Sequence, residues 1–455
     1  MTTMYDQAVG ARFHIYNSLF LNLPFRNISR TGTLLPLLQQ YSHEGFEKGQ
    51  SAIQIIDQFF DDLTPQASQQ ERFDLLFNFI QYIERQVALF DSVEDSAFEA
   101  VNDMNGKGTV KALLIRSRIE GKEEALKKRL EELSIRVVLT AHPTQFYPGH
   151  VLGILTDLEQ SIRENNIPQI NALLRQLGKT GFINKDKPTP YDEAVSLTWF
   201  LENIFYQVIG QIIRKLCEGL NIPLIDWKNT RLLTIGFWPG GDRDGNPFVT
   251  TDITVRVADK LRESILKCYY RDLRILRRRL TFQGVHSLII AIEQKVYEMA
   301  YTHHPVYSSP LVLVDELMHV RALLLNDHEG LFLELLDDLI LRIRIFGFHF
   351  ASLDIRQDSR KHEQVWKTLN DKLTQQKKGL DWKSWEQANS QKQMEELLAI
   401  TTNPVFLTLD DPLAEETIRS ISAIKSIQQQ NGESGCHRYV ISNCQKPAHV
   451  IQVFQ

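Results

Sequence analysis

The 455-residue sequence predicts a mostly helical protein with a parallel α/β element. Apolar residues recur at three- and four-residue spacing over most of the chain, which marks amphipathic helices. Four short β-branched or apolar runs, near 135–140, 232–237, 349–355 and 438–443, interrupt them at long intervals. Strands separated by helical stretches of this length pair in parallel through helical crossovers. The first three runs end in residues able to carry chemistry, and in parallel α/β folds functional groups collect at the C-terminal strand tips.

Composition narrows the function. A hydrophobic content of 43% is enough for a sizeable core, and a net charge of −5 argues against a general nucleic-acid binder, whose footprint is a basic excess. The basic run at 274–279 falls inside a helical pattern and reads as a solvated helix face. The cysteines, at 217, 268, 436 and 444, are few and scattered, as expected of free thiols in a reducing cytoplasm. Cys436, His437, Cys444 and His449 have the wrong spacing for a common structural zinc site. No apolar run approaches a membrane span of about 20 residues, and the N-terminus lacks the features of a secretory signal. A cytoplasmic protein without membrane attachment is expected.

In chain order, residues 1–134 read as a helical region. Ile55, Ile56, Phe59, Phe60 and Leu63 mark one helix face, and Phe73, Leu76, Phe77, Ile80 and Ile83 another. A polar break at 102–108 precedes a helix expected over 110–133. Residues 135–455 then carry the four strands with helices between them. Helices are expected at 151–164, 191–220, 250–283, 286–303, 311–322, 331–346, 361–373, 414–430 and 450–454. The stretch 165–190 reads as mixed, and 372–393, rich in Lys and Gln, as flexible loop.

Three strand tips carry candidate chemistry. The first run leads into Ala141-His142-Pro143-Thr144. Pro143 cannot donate a ladder hydrogen bond and biases His142 away from helical geometry, so the imidazole is held at the tip. Histidine titrates near neutrality and can move a proton there or stabilise an anion; a satisfied histidine beside a turn is the alternative. The second run leads into Gly240-Gly241-Asp242-Arg243-Asp244-Gly245-Asn246-Pro247, where the glycines call for tight turning or close approach. Asp242 and Asp244 flank Arg243 and suggest carboxylates orienting a guanidinium toward an anion, against a purely structural turn. A calcium loop fails, because the sixth and twelfth positions from Asp242 are Pro247 and Ile253. The third run ends in Asp354-Ile355-Arg356-Gln357-Asp358, with Arg356 pointing from the tip or paired with Asp354 or Asp358. Together they suggest a site for a phosphate or carboxylate substrate with one proton-transfer group. The glycine run has neither a P-loop nor a dinucleotide spacing.

The segments VVLTAHPTQ (137–145), GFWPGGDRDGNPFVT (236–250), SLDIRQDS (352–359) and RYVISN (438–443) resemble, in this order, phosphoenolpyruvate carboxylase. The resemblance runs from about residue 137 to the end of the chain. It implies a helix-rich (β/α)8-type barrel, of which the four strands here make about half, and a homo-oligomer, usually a tetramer, when complete. It implies a lyase that joins phosphoenolpyruvate and bicarbonate to give oxaloacetate and phosphate with Mg2+ or Mn2+. His142 matches the family histidine that handles the carboxyphosphate proton. Arg356 matches an arginine that grips the substrate phosphate, and Arg243 and Asp244 belong to the motif lining the same site.

Two departures stand out. Where many members carry two arginines shortly after Ala-His-Pro-Thr, this chain has Phe146-Tyr147-Pro148-Gly149-His150. Family members are also roughly twice as long. The acidic metal ligands, a catalytic lysine and a mobile glycine-rich loop are expected in a C-terminal half that this sequence does not contain, so turnover is expected to need that half or a full-length subunit. The alternative is a non-catalytic half-barrel that binds a partner or a phosphorylated acid.

Overall fold

The computed structural model describes residues 3–21, 28–140, 147, 149–182, 188–400 and 410–454. It divides into two compact units, 1–109 with 143–187 and 110–142 with 188–455. These interleave along the chain, whereas the sequence reading drew one boundary after residue 134.

The first unit is helical. Its helices begin where side chains can satisfy the free backbone N–H groups of a first turn. Ser51 and Gln54 form a reciprocal capping box on Ala52–Leu63, and Ser68 and Glu71 do the same for Gln69–Ser96. Phe20, Tyr82, Leu89, Leu158 and Leu174 share one core, and Phe59, Phe60 and Phe79 a smaller one. Of the predicted face on Gln69–Ser96, however, Phe73, Phe77, Ile80 and Ile83 are exposed. A further helix, Ile167–Lys179, occupies the stretch read as mixed. It was announced by Asn166, whose side chain caps it, and by the proline in its first turn.

The second unit contains the sheet: β1 (Ile135–Leu139), β2 (Leu233–Phe237), β3 (Ser352–Asp358) and β4 (Arg438–Ser442). The strands lie in the order β1-β2-β3-β4, and every pair is parallel. Helices bridge each pair, so the parallel α/β reading holds. Side chains alternate between the two faces. Ile235, Phe237, Leu353 and Ile355 enter the main core with the long helices Thr251–Arg279 and Leu333–Phe346. Arg136, Gly236, Trp238, Asp354 and Arg356 occupy the other face, where polar groups meet.

β3 corrects the expected run at 349–355. After Leu333–Phe346 the chain turns through Gly347 and Phe350, both at positive φ (51° and 61°), so the strand starts only at Ser352. It continues through the polar residues Arg356, Gln357 and Asp358 because these pair with β4. The expected helix at 110–133 is two, Val110–Ile119 and Glu123–Glu132, broken at Gly121 with φ of 64°. The expected loop at 372–393 also holds helices, Trp382–Gln387 and Ser390–Leu398, capped by Asp381 and Asn389. They are anchored by the buried Trp385 and Leu397. No helix among the described residues is long and apolar enough to cross a membrane.

Candidate functional site

The C-terminal tips of β2 and β3 are stitched together by backbone. Beyond β2, the loop at 238–246 folds across β3. Arg356 N donates to Gly241 O at 3.0 Å, and Arg243 N donates to Arg356 O at 2.9 Å. Gly241 is required by that approach: a Cβ there would lie 2.1 Å from the Asp354 carbonyl oxygen. Of the glycines read in the sequence as marks of tight turning or close approach, Gly241 thus serves a loop-to-strand bridge, while Gly240 and Gly245 turn at positive φ.

This bridge sets the side chains. Arg356 donates from Nε and Nη2 to the two carboxylate oxygens of Asp242, at 2.7 and 2.9 Å. Asp244 stands 3.7 Å from Nη2, and the guanidinium lies 4.9 Å from the centre of the Trp238 ring. The hydrogen bond to Asp242 is the main cause that holds the Arg356 pKa above its ordinary value. The guanidinium is therefore charged and fixed on one edge, while Nη1 donates to no described residue. The pairings with Asp354 or Asp358 weighed from sequence are not the ones formed.

Asp354 is 2% exposed and bridges β1 to the same cluster. Arg136 donates to it through two nitrogens at 2.8 and 2.7 Å, and Trp238 Nε1 donates to it at 3.0 Å. Arg136 reaches Asp354 by crossing β2 at Gly236, where a Cβ would meet its Cζ at 2.5 Å. Asp358 caps the helix Ser359–Gln375 and pairs with Arg360, whose hydrogen bonds are the main cause that lowers the Asp358 carboxyl to about 2.

Arg243 takes a different direction from the one expected of it. Its side chain is buried, and it donates to Glu416 Oε1 at 2.8 Å. Glu416 also accepts from Thr251 N at 2.6 Å and Thr251 Oγ1 at 2.8 Å. The two aspartates that bracket Arg243 in sequence therefore serve Arg356, while Arg243 ties the loop to the helix Pro412–Asn431. His142 lies outside the described residues.

Among the described residues no group of three or more His, Cys, Asp or Glu side chains could hold a metal ion. The tip carboxylates Asp242, Asp354 and Asp358 are each engaged by a guanidinium. The described residues therefore do not fit a divalent cation.

Sequence reasoning missed Trp238, Arg136 and Glu416 as partners, and weighed Asp354 as a partner of Arg356 rather than of Arg136 and Trp238. Arg136 carried a local signal, a charge inside a β-branched run. Glu416 carried none, because its partner is 173 residues away.

Comparison with known proteins gives a consistent result. A model of the phosphoenolpyruvate carboxylase family matches residues 32–291 and 288–455. The chain is similar to a phosphoenolpyruvate carboxylase of Gloeobacter violaceus, with 24% identity over 395 residues covering 72% of this chain and 42% of the relative. It is similar to that of Shewanella sediminis, with 28% identity covering 73% of this chain and 42% of the relative. It is also similar to that of a Prochlorococcus marinus strain, with 24% identity covering 86% of this chain and 48% of the relative. The chain thus spans about half or less of the length of the curated relatives it matches.

Proposed function

This chain belongs to the phosphoenolpyruvate carboxylase family, and from that premise we propose that it supplies the phosphate-gripping part of an enzyme that carboxylates phosphoenolpyruvate with bicarbonate. The observation that carries the proposal is the Asp242–Arg356 pair. Asp242 occupies Nε and Nη2, and the cation keeps Nη1 for an oxygen of the substrate phosphate. Asp244 and Trp238 border that guanidinium, and Arg243, through Glu416, holds the loop in place.

In the proposed reaction a bicarbonate oxygen attacks the phosphorus, and the bond from phosphorus to the enol oxygen breaks. Carboxyphosphate and an enolate result. Arg356 holds the phosphoryl oxygens through this transfer, where fixed positive charge lowers the barrier. His142 handles the carboxyphosphate proton, after which carbon dioxide and phosphate separate and the enolate carbon attacks carbon dioxide. The family implies a magnesium or manganese ion. The described residues offer no donor set for it, so we place its ligands in sequence outside this chain, in a C-terminal half or a full-length subunit.

We further propose that the four strands are half of a (β/α)8-type barrel in a cytoplasmic homo-oligomer. Strand order equals chain order and all pairs are parallel, as in such barrels. On β1, Ile135 and Val137 are 45% and 41% exposed, an unusual state for parallel strands and one that suits further chain packing there. The test is a coupled oxaloacetate assay with phosphoenolpyruvate, bicarbonate and magnesium, on the chain alone and co-expressed with the C-terminal half of a relative. Activity on co-expression that is lost in Arg356→Gln supports the proposal. Activity that Arg356→Gln leaves intact overturns it, and silence in both preparations favours a non-catalytic phospho-acid or partner-binding protein.

A further inference from the structure

A cavity of about 570 Å³ lies at the opposite, N-terminal end of the four strands. Its size suits a small-molecule site, which falls roughly between 300 and 1,000 Å³. Its lining is strongly basic: Arg136, Arg231, Arg344 and Arg438 face a single carboxylate, Glu433. Two of these guanidiniums are uncommitted, since neither Arg231 nor Arg438 donates to an acceptor among the described residues. Arg344 uses Nη1 on the carbonyl of Ile225 at 2.9 Å. The buried Nε of Arg136 has no partner among the described residues. His349, which also lines the cavity, is lowered to about 4 by burial and by His437, so its ring enters as a neutral donor or acceptor. Arg136 is already paired with Asp354, so the charge left around the cavity is that of Arg231, Arg344 and Arg438 against Glu433, a positive excess that suits an anion.

Arg136 connects this cavity to the other end of the sheet. It holds Asp354 through two hydrogen bonds, Trp238 Nε1 holds the same carboxylate, and the Trp238 ring lies against Arg356. An anion that shares the Arg136 guanidinium loosens its grip on Asp354, and the next donor to Asp354 is Trp238.

We propose that the cavity binds a small oxyanion carrying two or more negative charges, a phosphate or a dicarboxylate, and that its occupancy is relayed to Arg356 through Arg136, Asp354 and Trp238. The relay deepens the proposed substrate role of Arg356, whereas the binding stands apart from it.

The experiment titrates the purified chain with inorganic phosphate and, separately, with succinate. It follows heat by calorimetry and the Trp238 indole N–H by nuclear magnetic resonance, assigned with Trp238→Phe. At least one anion is expected to bind and to move that resonance. The double variant Arg231→Gln/Arg438→Gln, its folding checked by circular dichroism, should weaken binding by about tenfold or more. Arg356→Gln should leave this binding in place. The relative affinities of phosphate and succinate identify which class the cavity takes. Binding that survives the double variant and disappears in Arg356→Gln puts the anion at the strand tips and overturns the proposal, as does the absence of heat with either anion at about 10 mM. Binding at the cavity with an unmoved Trp238 resonance overturns the relay.

Discussion

Asp242 and Arg356, 114 residues apart in the chain, are joined twice. Their side chains form a two-point ion pair at 2.7 and 2.9 Å, and the loop that carries Asp242 is bridged to β3 by backbone hydrogen bonds on either side of Asp242. A guanidinium on a strand tip, a carboxylate on a glycine-rich loop and a close backbone approach thus become one unit.

Removing the carboxylate should cost orientation more than stability. Both side chains are 27% exposed, so Asp242→Asn is expected to destabilise the fold by only about 1 kcal/mol or less. Binding of phosphoenolpyruvate should weaken much more than stability does, since the Arg356 fork is no longer fixed. Urea unfolding together with calorimetric titration separates the two effects.

Two glycines of the same loop should respond to a different degree and for different reasons. In Gly241→Ala the new Cβ meets a backbone oxygen at 2.1 Å, so the bridge to β3 must open. A loss of several kcal/mol, on the order of 3 or more, is expected. Gly245 has a φ of 75° but nothing within 4 Å of its Cβ. Gly245→Ala should cost about 1–2 kcal/mol, the strain of a left-handed alanine. Equal losses in chemical denaturation would contradict the close-approach role of Gly241.

Breaking the buried side of the loop should be costly. Arg243→Gln leaves Glu416 with Thr251 and the more distant Arg419, at 3.7 Å, and about 2 kcal/mol of stability should disappear. Burial works to raise the Glu416 carboxyl, but hydrogen bonds from Thr251 and Arg243 outweigh it and hold the pKa below the ordinary value. A depressed carboxylate contributes stability that is present above its unfolded pKa and lost as pH falls through the folded value. Glu416→Gln should therefore flatten the acid limb of the stability curve below the ordinary glutamate range, while lowering stability at neutral pH.

His362 should give a separate slope at milder pH. Burial, the neighbouring His449 and Arg243 lower it to about 4, with Asp358 opposing, and its Nε2 lies 3.1 Å from the Tyr439 hydroxyl. The unfolded chain takes up this proton near 6.5, whereas the folded chain does not until about 4. Its contribution is complete above pH 6.5 and is lost as pH falls toward 4. Between pH 7 and 5 the loss should be about 1–2 kcal/mol. The slope should shrink in His362→Gln when urea midpoints are compared across that range.

What the sequence made legible follows from how local each signal was. β1, β2 and β4 were readable to within a residue or so because short apolar runs end in turn residues. β3 was displaced because its polar end is a strand only by pairing with β4, and because Phe350 turns at positive φ. The helices around Trp385 and Leu397 were missed because few apolar residues anchor them, although their caps Asp381 and Asn389 were in plain view. Arg356 was identifiable as a candidate, but its partner was not. Asp242 sits beside Arg243 in the chain and beside Arg356 only in space.

The most direct measurement is the affinity of the purified chain for phosphoenolpyruvate by calorimetry, in the wild-type protein and in Arg356→Gln. The account predicts binding that weakens by about tenfold or more in the variant, with the unfolding midpoint changed little. Equal affinity in the two proteins would contradict it, because the fork held by Asp242 would then not be what grips the phosphate.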